Sequence, residues 1–431
     1  MLSSLIAPAL ARRGIHYGWV MVALTFLVAV SSAGALGILG ALLLPLQGET
    51  GWDTASISGA LALRLLLYGL MAPFAAALLQ RYGLRYTVAV ALALVVLGCV
   101  ASMGMTQLWQ LWLCWGVMAG LGTGMTALVL GATVAGRWFV RRRGLVLGLL
   151  TAANATGQLA FLPLAAWLAQ NDGWRVAMIP GLAACVLAGV LMLLFGHDHP
   201  AELGLAAYGD TAAPAAAPPR PPAGNPVRTA FATLAEASGS RVFWILFATF
   251  MICGLSTNGL VQTHFIPLCG DFGMAPVEAA SVLALMGAFD FIGTIASGWL
   301  SDRYDNRKLL FWYYGLRGLS LLALPSSTFS LYGLSLFAVF YGLDWIATVP
   351  PTVRLAGQAF GRDRAPLVFG WVFTAHQLGA AIAAAGAGLS RDALASYLPA
   401  FYIAGAACLL AALLALGAGS KQRDAAIKGA A

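Results

Sequence analysis

Long apolar runs constrain this chain more than any other feature. Twelve of them recur, at about 17–46, 54–79, 86–105, 109–136, 144–169, 175–196, 242–268, 277–300, 309–325, 332–358, 367–390 and 397–419. Many are near the ~20 residues that a helix needs to cross a ~30 Å hydrocarbon layer. The runs are continuous, whereas the strands of a membrane barrel alternate in polarity over about ten residues. Only 9% of residues are charged, against roughly 25% in soluble globular chains, which leaves no water-soluble surface for a chain of this length. The expected fold is an all-α membrane protein of twelve transmembrane helices arranged as two six-helix bundles.

The division into two bundles comes from an internal repeat, the feature to seek first in any chain. A charged turn, Gly298-Trp-Leu-Ser-Asp-Arg-Tyr-Asp-Asn-Arg-Lys308, has a degraded copy 222 positions earlier, Ala76-Ala-Leu-Leu-Gln-Arg-Tyr-Gly-Leu-Arg85. The same shift, without a gap, sets Pro45 on Pro267, Gly120-Leu121 on Gly342-Leu343, Leu145-Val-Leu-Gly148 on Leu367-Val-Phe-Gly370 and Gly157 on Gly379. Six runs end near Gly196. Pro214, Pro218, Pro219, Pro221, Pro222 and Pro226 then mark an extended or disordered linker. The domains read as 1–196, an N-terminal bundle; 197–241, a Pro-rich linker; and 242–431, a C-terminal bundle with a short tail. Parallel repeats of this kind place a substrate site near mid-membrane.

The net charge of +8 does not point to nucleic acid, because the cations are segregated. With the N-terminus inside, Arg12, Arg13, Arg81, Arg85, Arg137, Arg141 to Arg143, Arg303, Arg307, Lys308, Arg362, Arg364 and Lys421 all fall in inner loops or tails, and only Arg175 and Arg391 fall outside. That is the positive-inside pattern. It predicts a multi-pass plasma-membrane protein with both termini cytoplasmic. The first run is too long for a signal peptide and stays as the first span. The six cysteines lie in or beside apolar runs without metal-ligand spacing, so free buried thiols are expected. Neither a metal nor a cofactor is expected, and no nucleic acid. The partners expected are a small-molecule substrate, a coupling ion and the lipid bilayer, with the protein a monomer.

The charged turns after the second and eighth spans resemble the signature loop of the major facilitator superfamily, Gly-x-Leu-x-Asp-Arg-x-Gly-Arg-Arg, and the likeness extends over nearly the whole chain. Four segments resemble its monocarboxylate-transporter and oxalate/formate-antiporter branch: His16-Tyr-Gly-Trp19, Arg137-Trp-Phe-Val-Arg-Arg-Arg-Gly144, Leu234-Ala-Glu-Ala-Ser-Gly-Ser-Arg-Val-Phe-Trp244 and Thr263-His-Phe-Ile-Pro267. Such carriers often hold an Arg in the eighth span four residues after an Asp. Here the Asp is Asp290 and the partner position is Thr294. The first-span Lys of the animal members would fall near Gly37, and the loop carboxylate of the first half is Gln80. The resemblance implies secondary active transport by alternating access.

An ionisable side chain within a span costs at least ~2.5–3.5 kcal/mol on the insertion scale, so each needs a partner, a cavity or a function. Arg64 and Tyr68 share a face of the second span. Arg64 is a candidate cation for an anionic substrate, or else a donor to helix carbonyls or a partner for a carboxylate. Asp290, with Thr294 and Ser297 at helical spacing, suits a protonatable carboxylate; the other reading is an ion pair with Arg317. Arg317, in an outer span by the resemblance, is expected to pair with Asp290 or Asp344. Asp344, Thr348 and Thr352 form a second polar stripe, with Tyr341 nearby. Pro350 and Pro351 should kink the tenth span just beyond, as a gate or as a static bend. His376 is the repeat mate of Asn154, and Gln158 lies one turn on. His376 can carry a proton or serve as a neutral hydrogen-bond donor. Asn258 joins the substrate-binding set. Arg81, Arg85, Asp302, Arg303 and Arg307 are expected to gate, with Asp302 accepting from helix N-terminal amides and the arginines meeting helix C-termini, or else to serve topology alone. Arg354 is expected near a membrane surface, where it can snorkel.

No Walker loop, His-Glu-x-x-His or Gly-x-Ser-x-Gly is present, which argues against direct ATP drive and against these enzyme classes. The leading expectation is a carrier of a small organic anion, a monocarboxylate, coupled to protons or to a counter-anion. Efflux of neutral or cationic molecules is the alternative within transport, and a non-transporting membrane sensor is the alternative outside it.

Overall fold

The structure is a computed structural model and describes residues 12–52, 54–210 and 225–419. No strand is present among the described residues, only an isolated bridge between Phe139 and Tyr208. Among the described residues, nine helical stretches are long and apolar enough to cross a membrane. One of them, Gly59–Ser102, is 44 residues long and holds both the second and the third span. The fifth span is divided into Arg143–Ala160 and Leu162–Asn171, and the ninth is the more polar Asn306–Ala323. With these, all twelve predicted spans are accounted for.

The chain forms two compact units, residues 1–146 with 153–231, and 147–152 with 232–431. Each unit repeats one pairing pattern. In the first, the second span packs on the fourth, and Gly120 lies so close to Arg64 that a Cβ there would stand 3.0 Å from the Arg64 carbonyl oxygen. In the second, the eighth packs on the tenth, and a Cβ on Gly342 would stand 2.5 Å from the Met286 carbonyl oxygen. Gly342 and Met286 lie 222 positions after Gly120 and Arg64, so the sequence repeat is also a repeat of helix contacts. Small residues let the backbones approach this closely.

Three local expectations are corrected. The turn between the second and third spans is shorter than a loop: within Thr54–Ser102 two helices meet at Gly83, the one residue with non-helical angles, φ 83° and ψ 170°, a conformation that essentially only glycine adopts. The stretch 197–241 is not an extended linker where it is described. Residues 197–210 fold onto the first unit, and Pro226–Ser238 is a helix. Pro226 at a helix start loses nothing by lacking an N–H, Asn225 Oδ1 accepts from the Val227 amide at 2.9 Å, and Ala230 and Ala237, two turns apart, are buried. Pro214, Pro218, Pro219, Pro221 and Pro222 lie outside the described residues.

The third correction concerns the tenth span. Pro350 and Pro351 do not kink a continuous helix. The helix Leu331–Asp344 ends, four residues follow as turns, and Val349–Phe360 begins with the prolines in its first turn. The break therefore precedes the prolines, which occupy the helix-start positions where a missing N–H is tolerated. The fourth and seventh spans also depart from regular α-helix, with π-helical turns at Trp112–Ala119 and Leu255–Val261, which nothing in the hydropathy pattern marked.

Candidate functional site

Backbone groups freed within a membrane span must find partners in the protein. At the break in the tenth span the accounting closes through side chains of the eighth and ninth. Pro351 cannot donate to the Ala347 carbonyl, and the Ser297 hydroxyl donates to it at 2.5 Å. The Ile346 amide donates to Asp290 Oδ1 at 2.9 Å. Arg317 Nη2 donates to the Asp344 carbonyl at 2.5 Å and to the Trp345 carbonyl at 3.0 Å. The Val349 amide reaches Ile346 O at 3.0 Å. The unwound turn is thus stitched open by Asp290, Ser297 and Arg317.

The same guanidinium forms the buried ion pair of the second unit. Arg317 Nε lies 2.7 Å from Asp344 Oδ2, and Nη1 donates to Cys253 Sγ at 3.1 Å. Between the two counterions left open above, the structure selects Asp344. Asp290 instead accepts from the Thr294 hydroxyl at 2.9 Å and from Ile346. Asp290 and Asp344 are both buried, and Asp344 Oδ1 has no hydrogen-bond partner. The break thus brings together two buried carboxylates, one paired with the Arg317 guanidinium and the other bonded to Thr294 and the Ile346 amide.

His376, on the eleventh span, is buried against Phe250 and Phe373, the latter stacked at 5.8 Å, and its Nδ1 lacks a partner. Tyr341 spends its hydroxyl on the Ser256 carbonyl at 2.7 Å, tying the tenth span to the π-helical turn of the seventh. Asn258 lies in that turn, half-buried. Such turns are frequent at functional sites. Thus Asp290, Asp344, Tyr341 and Arg317 gather around the break, while Arg354 sits further along the span, paired with Asp302.

In the first unit, Arg64 is buried and donates through Nη1 to the Leu36 carbonyl at 3.0 Å, while its Nε has no partner. Among the described residues no carboxylate meets it. Tyr68, one turn on, is half-buried, as is Asn154 on the fifth span. The side chain of Gln158 lies outside the described residues.

The charged turn differs from expectation in which carboxylate caps the helix. Asp302 pairs with Arg354. The ninth span is capped by Asp305, whose Oδ1 accepts from the Arg307 amide at 2.9 Å. An Asx side chain in the β region before the first helical turn is placed for this bond, whereas Asp302 still has helical backbone angles. Arg307 pairs with Asp305 at 2.9 Å, and Arg303 lies over the Trp299 ring at 3.9 Å. Arg85 Nη2 donates to Leu193 O at 2.5 Å, at the C-terminal end of the sixth span, as the helix dipole favours. Arg81 lies over the Tyr82 ring. Sequence reasoning missed Cys253 as a partner of Arg317 and Asp305 as a cap. The second was readable, because a carboxylate two residues before Arg307 is a cap signal.

The family model described as Major Facilitator Superfamily matches residues 24–384 and 271–429. The chain is 26% identical over 393 residues to monocarboxylate transporter 13 of Rattus norvegicus, covering 90% of this chain and 86% of that one. It is 24% identical over 387 residues to the uncharacterized MFS-type transporter YcxA of Bacillus subtilis (strain 168), covering 88% and 90%. It is 32% identical over 316 residues to monocarboxylate transporter 11 of Mus musculus, covering 72% and 65%. Among solved structures, a double-Trp variant of XylE superposes with a TM-score of 0.70 at 15% identity, over 92% of this chain and 94% of that one. A single-residue variant of the E. coli fucose:proton symporter FucP gives 0.67 at 17%, over 94% and 100%; both likenesses speak to the fold alone. The chain belongs to the Major Facilitator Superfamily and is a membrane transporter, not an enzyme.

Proposed function

We propose that this transporter moves a small organic anion, a monocarboxylate, by alternating access, coupled to protons or to a counter-anion. The observation that carries the substrate charge is Arg64. A guanidinium buried in a span without a carboxylate partner is costly, and a substrate anion would offset that cost. The relatives named monocarboxylate transporters support the same class. Tyr68, Asn154, Gln158, Asn258, Tyr341 and His376 complete the proposed substrate set, of which Tyr341 is already engaged with Ser256.

Asp290, Asp344 and His376 are the proposed proton carriers. Asp290 is the one whose protonation has a mechanical consequence, since its carboxylate holds the Ile346 amide of the broken tenth span. Protonation weakens that acceptor and loosens the stitch; deprotonation restores it. Arg81, Arg85, Asp302, Arg303 and Arg307 serve as gates at the charged turns, and the break before Pro350 and Pro351 is the flexing point. The moving parts are the bundles 1–196 and 242–431, joined by 197–241. The cation bias supports a plasma-membrane location with both termini cytoplasmic, and the protein works as a monomer.

The test is a thermal-shift titration of the purified protein with pyruvate and with lactate, followed by exchange of the labelled acids in liposomes. A ligand of the native state raises the melting temperature by mass action. Wild type should gain stability with the acids, and Arg64→Gln should lose that gain whatever its own baseline. An Arg64→Gln variant that keeps the full shift would show that Arg64 serves only the Leu36 carbonyl.

A further inference from the structure

Under the 222-residue shift, Gly83, Leu84 and Arg85 fall on Asp305, Asn306 and Arg307. In the second copy Asp305 caps the ninth span from its own side chain. The first copy has glycine at that position, so the third span begins without a capping side chain of its own. The Leu84 amide is nevertheless satisfied: Asp198 Oδ1, 114 residues away, accepts from it at 2.5 Å. A Cβ built on Gly83 would stand 2.0 Å from Asp198 Oδ2 and 2.5 Å from its Cγ. The carboxylate of Asp198 therefore fills the place that a side chain at 83 would take.

Asp198 also anchors an ordered segment. The His197 amide meets Met21 Sδ at 3.3 Å, and His197 Nδ1 lies 3.1 Å from Glu202 Oε2. His16 Nε2 lies 3.0 Å from the Ala206 carbonyl. The Tyr208 amide donates to Trp138 O at 2.8 Å, and Tyr208 O accepts from the Val140 and Arg141 amides at 3.0 and 3.1 Å. The Tyr208 ring packs against His16, Trp19 and Phe139. Residues 197–208 thus touch the start of the first span, the start of the third and the end of the fourth, all within the first unit.

We propose that Asp198 is the N-cap of the third span, supplied from after the sixth span in place of the side chain missing at Gly83, and that it fastens residues 197–208 as a strap binding three span ends of the first unit into one body. The cap and the strap are one device. Releasing either end frees the other, because the bonds at Asp198 and at Tyr208 are made by a single short, folded segment.

Hydrogen exchange read by mass spectrometry on the full-length protein tests this without a transport assay. Asp198→Ala should raise exchange of peptides covering 83–86 and 197–208 together, by about tenfold, the order a lost cap produces. Asp198→Asn keeps an oxygen for the Leu84 amide and should stay within about threefold of wild type. The peptide at 303–310, capped by Asp305, should not change in either variant. Should Asp198→Ala fail to fold, Tyr208→Ala loosens the other end of the strap and should also raise exchange at 83–86. The proposal is overturned if Asp198→Ala leaves 197–208 unchanged, if Asp198→Asn behaves like alanine, or if Tyr208→Ala affects only the neighbourhood of 137–141.

Discussion

Replacing Arg317 by Met tests the stitched break most directly. The guanidinium makes four contacts at 3.1 Å or less, to Asp344 Oδ2, the Asp344 and Trp345 carbonyls and Cys253 Sγ. Removing one partner of a buried ion pair costs about 3–5 kcal/mol, because the other charge is left uncompensated. Each stranded carbonyl could add ~1–3 kcal/mol. That addition is smaller if residues 345–348 rewind, although Pro350 and Pro351 can contribute no N–H to a continued helix. The ion pair alone therefore sets the scale, about 3–5 kcal/mol. For a body of 150–250 residues each kcal/mol moves Tm by about 2–4 °C, so a fall of roughly 6–20 °C is expected by intrinsic-fluorescence melting in detergent. Arg317→Met/Asp344→Leu removes the orphaned charge as well and should recover most of the loss, as a strongly coupled pair does in a double-mutant cycle. A single variant melting within the equivalent of about 1 kcal/mol of wild type would refute this account. So would a double variant no better than the single.

Asp290→Asn keeps an oxygen for the Ile346 amide, so its Tm should move by no more than the equivalent of about 1 kcal/mol, while uptake loses its dependence on external pH; an unchanged pH profile would remove Asp290 from coupling. Gly293→Ala places a Cβ 1.9 Å from the Leu343 carbonyl oxygen, next to the break, and should cost ~1–3 kcal/mol or more by overpacking. Gly189→Ala meets nothing nearer than 3.6 Å and should be neutral or stabilising by about 0.5–1 kcal/mol; melting both variants checks the sign. Outside the spans, the hydrogen bond from Arg175 holds the Glu49 carboxyl below its ordinary range. That stabilisation is complete above the unfolded carboxylate pKa and is lost as pH falls through the lower folded value. The pair is exposed, so it contributes only ~0–1 kcal/mol. The Tm gap between wild type and Glu49→Gln should close on acidification, and a gap independent of pH would contradict the assignment.

Much of the architecture was legible because it follows from local chemistry. Backbone groups in lipid must be satisfied within a segment, so apolar runs of the right length become spans, and a copied sequence packs by copied contacts, as Gly120 and Gly342 do. The site was legible as an inventory of buried ionisable groups. Their pairing was not. Arg317 could have met Asp290 or Asp344, since both lie on helices beside it, and only the approach of the tenth span decided for Asp344. The prolines at 350 and 351 were visible, but the break they adjoin depends on Ser297, Asp290 and Arg317, distant in sequence, to bond the freed groups.

By itself, then, the sequence determined twelve spans, their duplication, the superfamily and the short list of charges that lipid would not tolerate unpaired, because hydropathy, length and repetition are properties of the chain read locally. Tertiary structure alone decided that Asp344 answers Arg317 and that Asp198 meets Leu84 beside Gly83. A hydrogen bond depends on two groups meeting within about 3 Å, and which groups meet is settled only when the helices have packed.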